Sequence, residues 1–524
     1  GADLVLTGDA EYIVTNDVVA DRSGDEVTID ASGLDASGSL TLEGSGNFNL
    51  INTTQDVTAP NLDGILTVTT ASGDGPNVID IEAGTGQLIV DVVDSGDDAT
   101  VDAGNQVDDL TTDDDFADEA NTAADTFEFI AEGSGSVTVN NVTADVDGKN
   151  LEGELTVDIS GGSDVDIRAA DGRNTVNTNA TGGSIDAAAM GSGDTLFLND
   201  SGDVGVFNLG DQATIDGASG DYAGVLEVKT NLSASESATI NTGVEATSVT
   251  GDAGAVTIDA ADLADTSGDS DTTLLTLSGS NDYTVTELRS DVQAGTSSGL
   301  LDITTTVDTG DSAALGDDAI GITTGTGTAN IRGSETGSTI TVDADAMNAS
   351  DELRVGSSGD FVINNVASDV DVIADGSSGS VSVLDGTLDV TIDDAATDVD
   401  VFTGNNRTTV TFDQARVSFG SVNVHAAELD EGDGSLSAGS FLKLDGAADA
   451  DIFDLASDLD ATASDGILDI STSDLSGTGA QRIDLGSHRA GVDVATDAAD
   501  DTLTIDAANL GAASQKYLML GGGL

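Results

Sequence analysis

The sequence predicts an all-β chain wound as a repetitive parallel β-solenoid; a tandem array of β-sandwich domains is the other architecture it allows. Three observations lead there. A segment pattern recurs along the whole chain, apolar residues alternate with polar ones inside each recurrence, and Gly, Ser, Asn and Asp fill the turns between the alternating runs. A recurrence at this scale multiplies one surface, where an enzyme would build one cleft.

Each recurrence opens on a Leu-x-Leu anchor, as in Leu4-Val5-Leu6, Leu40-Thr41-Leu42, Leu275-Thr276-Leu277 and Leu442-Lys443-Leu444, with variants at Phe129, Leu196, Leu353 and Leu518. Successive anchors are 36, 89, 67, 79, 78, 89 and 76 residues apart. The implied organisation is a short first copy at 1–39, an acid-rich copy at 40–128, copies at 129–195, 196–274, 275–352, 353–441 and 442–517, and the start of an unfinished one at 518–524. The chain also opens on Gly1 instead of Met, so either a cleaved leader or a fragment is expected, and the unfinished last copy points to a longer parent protein or to a strand that completes a neighbour.

Eight and ten residues after the anchor stand apolar pairs: Tyr12/Val14, Phe48/Leu50, Val137/Val139, Val204/Val206, Tyr283/Val285, Phe361/Ile363 and Ala450/Ile452. Such period-2 alternation marks a half-buried strand. Between anchor and second strand lie turns such as Gly44-Ser45-Gly46-Asn47 and Gly279-Ser280-Asn281-Asp282, where Gly tolerates positive φ and Asx residues close local turns. Twelve residues after the anchor the sequence holds Asn16, Asn52, Asn141, Asn208, Glu287, Asn365 and Asp454. Sixteen residues after it come Asp56, Asp145, Gln212, Asp291, Asp369 and Asp458.

A later strand follows a Gly, as in Gly64-Ile65-Leu66 and Gly224-Val225-Leu226. Thr-Ile-Asp-Ala-like strands precede several anchors, among them Thr257 to Leu263, whose Asp259-Ala260-Ala261-Asp262-Leu263 end reads as a helix-like turn. In the second copy, strands at Leu40, Leu66 and Leu88 suggest a coil of about 23 residues and about three coils per copy. Scarcity of Trp and Tyr argues for coils over sandwiches, which build on such core markers.

The chain has 524 residues, 97 acids against 14 bases, and a formal charge of −83. That charge excludes ordinary nucleic-acid binding, which needs basic patches, and disfavours docking on anionic lipid. A solenoid rising about 4.8 Å per coil would carry about 0.75 charges per Å, against about 0.6 for duplex DNA. Such a rod must gather cations, although acidity also serves solvation in strong salt. Cysteine is absent, which rules out disulfides and thiolate metal sites. No apolar run is long enough for a membrane span.

Oxygen-rich turns suit hard cations. The candidate ligands for Ca²⁺ are Asn47, Asp56, Asp145, Asp194, Asp203, Asp282, Asp291, Asp360, Asp369, Asp449 and Asp458. Asx residues at turns also serve simply as turn formers. Two histidines, no Trp and scattered arginines give no catalytic constellation, so no enzymatic activity is expected. The hydroxyl-rich run Thr323-Thr324-Gly325-Thr326-Gly327-Thr328 does not recur in register.

Segments such as Gly191-Ser192-Gly193-Asp194-Thr195-Leu196, Gly73-Asp74-Gly75-Pro76-Asn77-Val78-Ile79 and Gly404-Asn405-Asn406-Arg407-Thr408 resemble the glycine-aspartate nonapeptide of RTX proteins. The wider texture resembles bacterial S-layer proteins and related type I-secreted surface proteins. The resemblance implies Ca²⁺ in glycine-aspartate turns, with Asp194 as the residue carried over. It also implies secretion and assembly with copies of the same chain. The expectation is an extracellular structural protein that forms a surface layer or filament with divalent cations, with cell-surface polysaccharide as a further partner. A Ca²⁺-dependent adhesin or biofilm-matrix stalk is the alternative.

Overall fold

The computed structural model describes residues 2–17, 26–35, 38–73, 76–104, 129–160, 165–178, 183–219, 222–263, 273–306, 319–333, 339–347, 351–357, 360–364, 370–375, 381–383, 388–393, 399–402, 408–412, 422–426, 441–446, 449–455, 457–464, 467–472, 480–485, 489–494, 502–508 and 518–522. These residues form β-strands and turns, with no helix among them. The chain divides into two units, Gly1–Leu263 and Ala264–Leu524.

In unit 1, alternate strands pair. Phe48–Thr53 lies between Val27–Leu34 and Leu66–Thr70, and Leu66–Thr70 pairs onward with Leu88–Val92. The strands passed over, Ser39–Gly44, Val57–Leu62 and Val78–Glu82, pair with one another in a second sheet. Each coil therefore contributes one strand to each of two sheets. Every described pairing is parallel, which decides for the solenoid over the sandwich, whose hairpin-linked sheets are antiparallel. Unit 2 is built the same way, from Thr273–Gly279 to Leu518–Gly522.

Alternation supplies the core. Ile29, Leu50, Val68 and Val90 face one another in register on four successive coils, all fully buried, while Thr28, Asn49 and Thr67 point outward. In every copy but the first the second strand buries the pair that the sequence marks, such as Phe48/Leu50, Val137/Val139 and Tyr283/Val285; Tyr12 and Val14 of the first copy are only half-buried. Tyrosine contributes more than expected: Tyr222 and Tyr283 are fully buried, their hydroxyls donating to the carbonyls of Gly202 and Ser278. Burial pushes both phenols well above the usual range. The Ala260–Leu263 segment is a single turn, Leu263 N–H donating to the Ala260 carbonyl at 3.3 Å, not the start of a helix. It tucks Leu263 into the core and needs no room outside the coil.

The copies differ from the expected three coils. Going from anchor strand Ser39–Gly44 to anchor strand Phe129–Gly133 takes seven described strands, or three and a half coils. An odd count sends successive anchors to opposite sheets. In unit 1, Ala2–Gly8 and Phe129–Gly133 lie in one sheet, and Ser39–Gly44 and Thr195–Asp200 in the other. In unit 2, the copy opening at Leu353 has eight described strands, so Phe441–Gly446 returns to the sheet of Glu352–Ser357. The step from Leu66 to Leu88 is one coil, but Leu40 belongs to the sheet opposite Leu66.

Four residues after the anchor the backbone turns left-handed. Gly8, Gly44, Gly133, Gly279 and Gly446 have φ between 83° and 109°, and a Cβ on Gly44 or Gly133 would stand 2.2 Å from a carbonyl oxygen of the coil below. In the copy opening at Leu196 this place is taken by Asp200, held at φ 70°. Asp pays a conformational penalty there that Gly does not. Asp200→Gly is therefore expected to stabilise unit 1 by about 0.5–1 kcal/mol, read as a rise in urea midpoint at constant slope.

Candidate functional site

The recurring polar positions among the described residues fall on the corners and bulges of the coils, where they have structural occupations. Seven residues after the anchor, the side-chain oxygens of Asn47, Asp203, Asp282 and Asp449 accept the backbone N–H of Ile65, Val225, Leu300 and Ile467, at 3.0, 2.9, 2.8 and 2.6 Å. Each donor directly follows the Gly that opens the strand of the next coil. These Asx residues clamp one coil to the next and leave the donors' apolar side chains partly exposed.

Sixteen residues after the anchor, the same logic operates on the strand itself. Asp56, Asp145, Asp291 and Asp458 accept the N–H of Asp80, Asp166, Gly321 and Arg482 at 3.0, 2.9, 2.6 and 2.6 Å. Gln212, the exception in letters, departs in geometry too, sitting at φ 57° and accepting from Ser192. Asp194 closes its own turn, accepting from Gly191 N–H at 2.5 Å. The side chain of Asp360, and Asp369 altogether, lie outside the described residues.

The residues twelve after the anchor have the least obvious role. Asn52, Asn141, Asn208, Glu287 and Asp454 all adopt left-handed φ, between 54° and 58°. At each, pairing skips, as between Leu50 and Thr53 or Val206 and Leu209, so two residues face one across the sheet. These are β-bulges. Asparagine fits the left-handed shape, and its amide then reaches the preceding coil: Asn52 to Asp30, Asn141 to Asp102 and Asn208 to Asp186, at 3.2, 3.1 and 3.0 Å. The same aspartates accept the N–H two residues on, from Ser32, Gly104 and Ala188. These bonds hold the Asp30 carboxyl below the ordinary range, the Ser32 N–H foremost.

Calcium takes six to eight oxygens at one point. Here the candidate carboxylates are dispersed, each giving an oxygen to a backbone donor, and no three His, Cys, Asp or Glu converge on a metal position among the described residues. Apart from Asp194, the described candidates thus serve the backbone as coil-to-coil acceptors. Buried acids are tied up likewise. Asp97, fully buried, accepts from Asn77 N–H and from the Thr70 hydroxyl, both at 2.8 Å. Asp484 holds Arg482 through two hydrogen bonds of 2.7 Å.

One in-register pair is repulsive. Asp91 lies beside Glu132 on the next coil, and burial first, then the Glu132 charge, raise the Asp91 carboxyl. A carboxyl with a raised folded pKa weakens the fold once ionised, so its penalty holds above that pKa and fades as pH falls through it. Asp91→Asn is expected to raise the melting temperature at neutral pH, with the gain vanishing in acid; an equal gain at all pH values would refute the charge assignment.

The outward faces hold a second regularity that the sequence hides. Thr100, Thr138, Thr156 and Thr175 align on four successive coils, and Thr195, Thr214, Thr239 and Thr257 on the next four. The Thr323–Thr328 run forms no such ladder; its residues are spread along one coil. Outward aromatic rings are few, and cations cover two of them. The Arg173 guanidinium lies 4.4 Å from the centre of Phe197, and the Lys229 ammonium 4.8 Å from that of Phe207.

No family model, curated protein or solved structure matches the chain. Among the described residues no helix is long and apolar enough to cross a membrane.

Proposed function

We propose that this chain is a secreted structural protein without catalytic activity, which joins copies of itself into a surface layer or filament in the presence of divalent cations. The observation that supports it most is the half-integral count of coils in each copy of unit 1. In unit 1 an odd number of described strands, three in the first copy and seven in the next two, turns each copy to the sheet opposite its predecessor, so the same set of corners and bulges faces both ways. A surface shown on two opposite faces meets neighbours on both sides, which favours a growing sheet over a closed pair.

The charge of −83 sets the condition for assembly. Corner carboxylates such as Asp203, Asp282 and Asp449 are exposed and held in place by their backbone bonds. Calcium then acts between molecules, lowering the repulsion of two acidic faces.

Electron microscopy of the purified chain tests this reading. Ordered sheets are expected with calcium, and dispersed particles after chelation at the same ionic strength. Dispersed particles in both conditions, at any protein concentration that stays soluble, would overturn the reading. Filaments would keep assembly but reject the role of the two faces.

A further inference from the structure

We infer that Phe453 is a binding site for an organic cation, an alkylammonium or guanidinium group supplied from outside this chain. The inference rests on a comparison between two copies and does not depend on assembly. Phe207 and Phe453 each stand eleven residues after their anchors, Leu196 and Leu442. Each is the first member of the bulged pair, followed by left-handed Asn208 or Asp454. Backbone and register are thus alike at the two rings.

Their cover is not. Opposite the first bulge, between the paired residues Val228 and Thr230, stands Lys229, whose ammonium sits over the Phe207 ring; the ring is only 6% exposed. Opposite the second, between Ile470 and Thr472, stands Ser471. Its hydroxyl turns to the backbone, accepting from Asp454 N–H at 3.1 Å and donating to the Ile452 carbonyl at 3.3 Å. Phe453 is left 39% exposed. The His425 ring stacks on it from the preceding coil, with centroids 5.2 Å apart and planes inclined by 21°, and Phe402 holds the register position one coil earlier. The stack ends at Phe453, where the sister copy places an ammonium.

The surroundings select the sign of the ligand. Asp451 and Asp469 align on neighbouring coils in the outward position two residues before Phe453, and Asp454 follows it directly. A ring face is attractive to cations because of its quadrupole, and nearby carboxylates add to the attraction. Inorganic ions keep full hydration shells, whereas a guanidinium is weakly hydrated and an alkylammonium brings an apolar stem that packs on the ring while its charge faces the carboxylates. The ligand is therefore an amine or guanidine, either free as a polyamine or carried on a basic polypeptide.

The test uses the full chain with isotope-labelled Phe rings, titrated at constant ionic strength with butylammonium, spermidine and a short polylysine. Saturable shifts of the Phe453 ring signals are expected with all three and not with sodium or calcium. Tightest binding by polylysine identifies a polypeptide source, and by spermidine a free polyamine. Ser471→Lys restores the cover found at Phe207 and should weaken binding by about tenfold or more while raising the melting temperature. Lys229→Ser should open a second responding ring at Phe207. A Phe453 signal that ignores organic cations, or a Ser471→Lys variant that binds as the parent does in a folded protein, would overturn the inference.

Discussion

Replacing Phe48 by alanine is expected to destabilise unit 1 by about 3–5 kcal/mol, a fall in melting temperature of roughly 10 °C. The ring is 1% exposed and lies between Val27 and Leu66 of the coils on either side. Both neighbours are fixed by ladder hydrogen bonds, so neither can move far to fill the space, and the lost contacts add to the lost burial. Damage should stay local, because each coil touches only the coils before and after it. Hydrogen exchange should accelerate most at residues 27–30, 48–53 and 66–70. A uniform acceleration across unit 1 would show instead that its coils open together.

Excising residues 226–246 should do less harm than removing that single ring. Leu226 pairs with Thr247 on the next coil and Val228 with Val249, so the excision takes out one whole coil and joins Val225 to the matching position. In the other sheet Ile215 then meets Ile258, which is what Ile240 met before. Buried residues replace buried residues and no sheet changes its face. The shortened chain should melt cooperatively, within about 5 °C of the parent. Loss of cooperative melting would show that corners, more than coil register, specify the stack.

The difference between these two outcomes explains what the sequence could reveal. Pairs such as Phe48/Leu50 and Tyr283/Val285 announce their burial because alternation is a local signal, and the recurring glycines announce turns. Parallel pairing is not local. Leu40, Leu66 and Leu88 look like three equal steps, yet only the last two share a sheet, since nothing in the letters counts strands per coil. The residues twelve after the anchor were legible as out of place, polar in an otherwise alternating strand; their left-handed bulge is visible only in the backbone. The corner aspartates were legible as oxygen-rich turns. That Asp203 and Asp282 serve an N–H some twenty residues away depends on stacking that composition does not encode. The Phe453 platform was missed for the same reason: its meaning lies in Ser471, seventeen to nineteen residues from the atoms it bonds.

The copy that opens at Leu353 carries an even number of described strands among odd-numbered companions. Identical plates that present both sides alike cannot tell the cell from the surrounding medium. A single even member breaks that equivalence by making two successive copies look the same way, and the uncovered ring of Phe453 lies in the second of them. If the chains assemble as proposed, the resulting coat would acquire an inside and an outside by arithmetic alone.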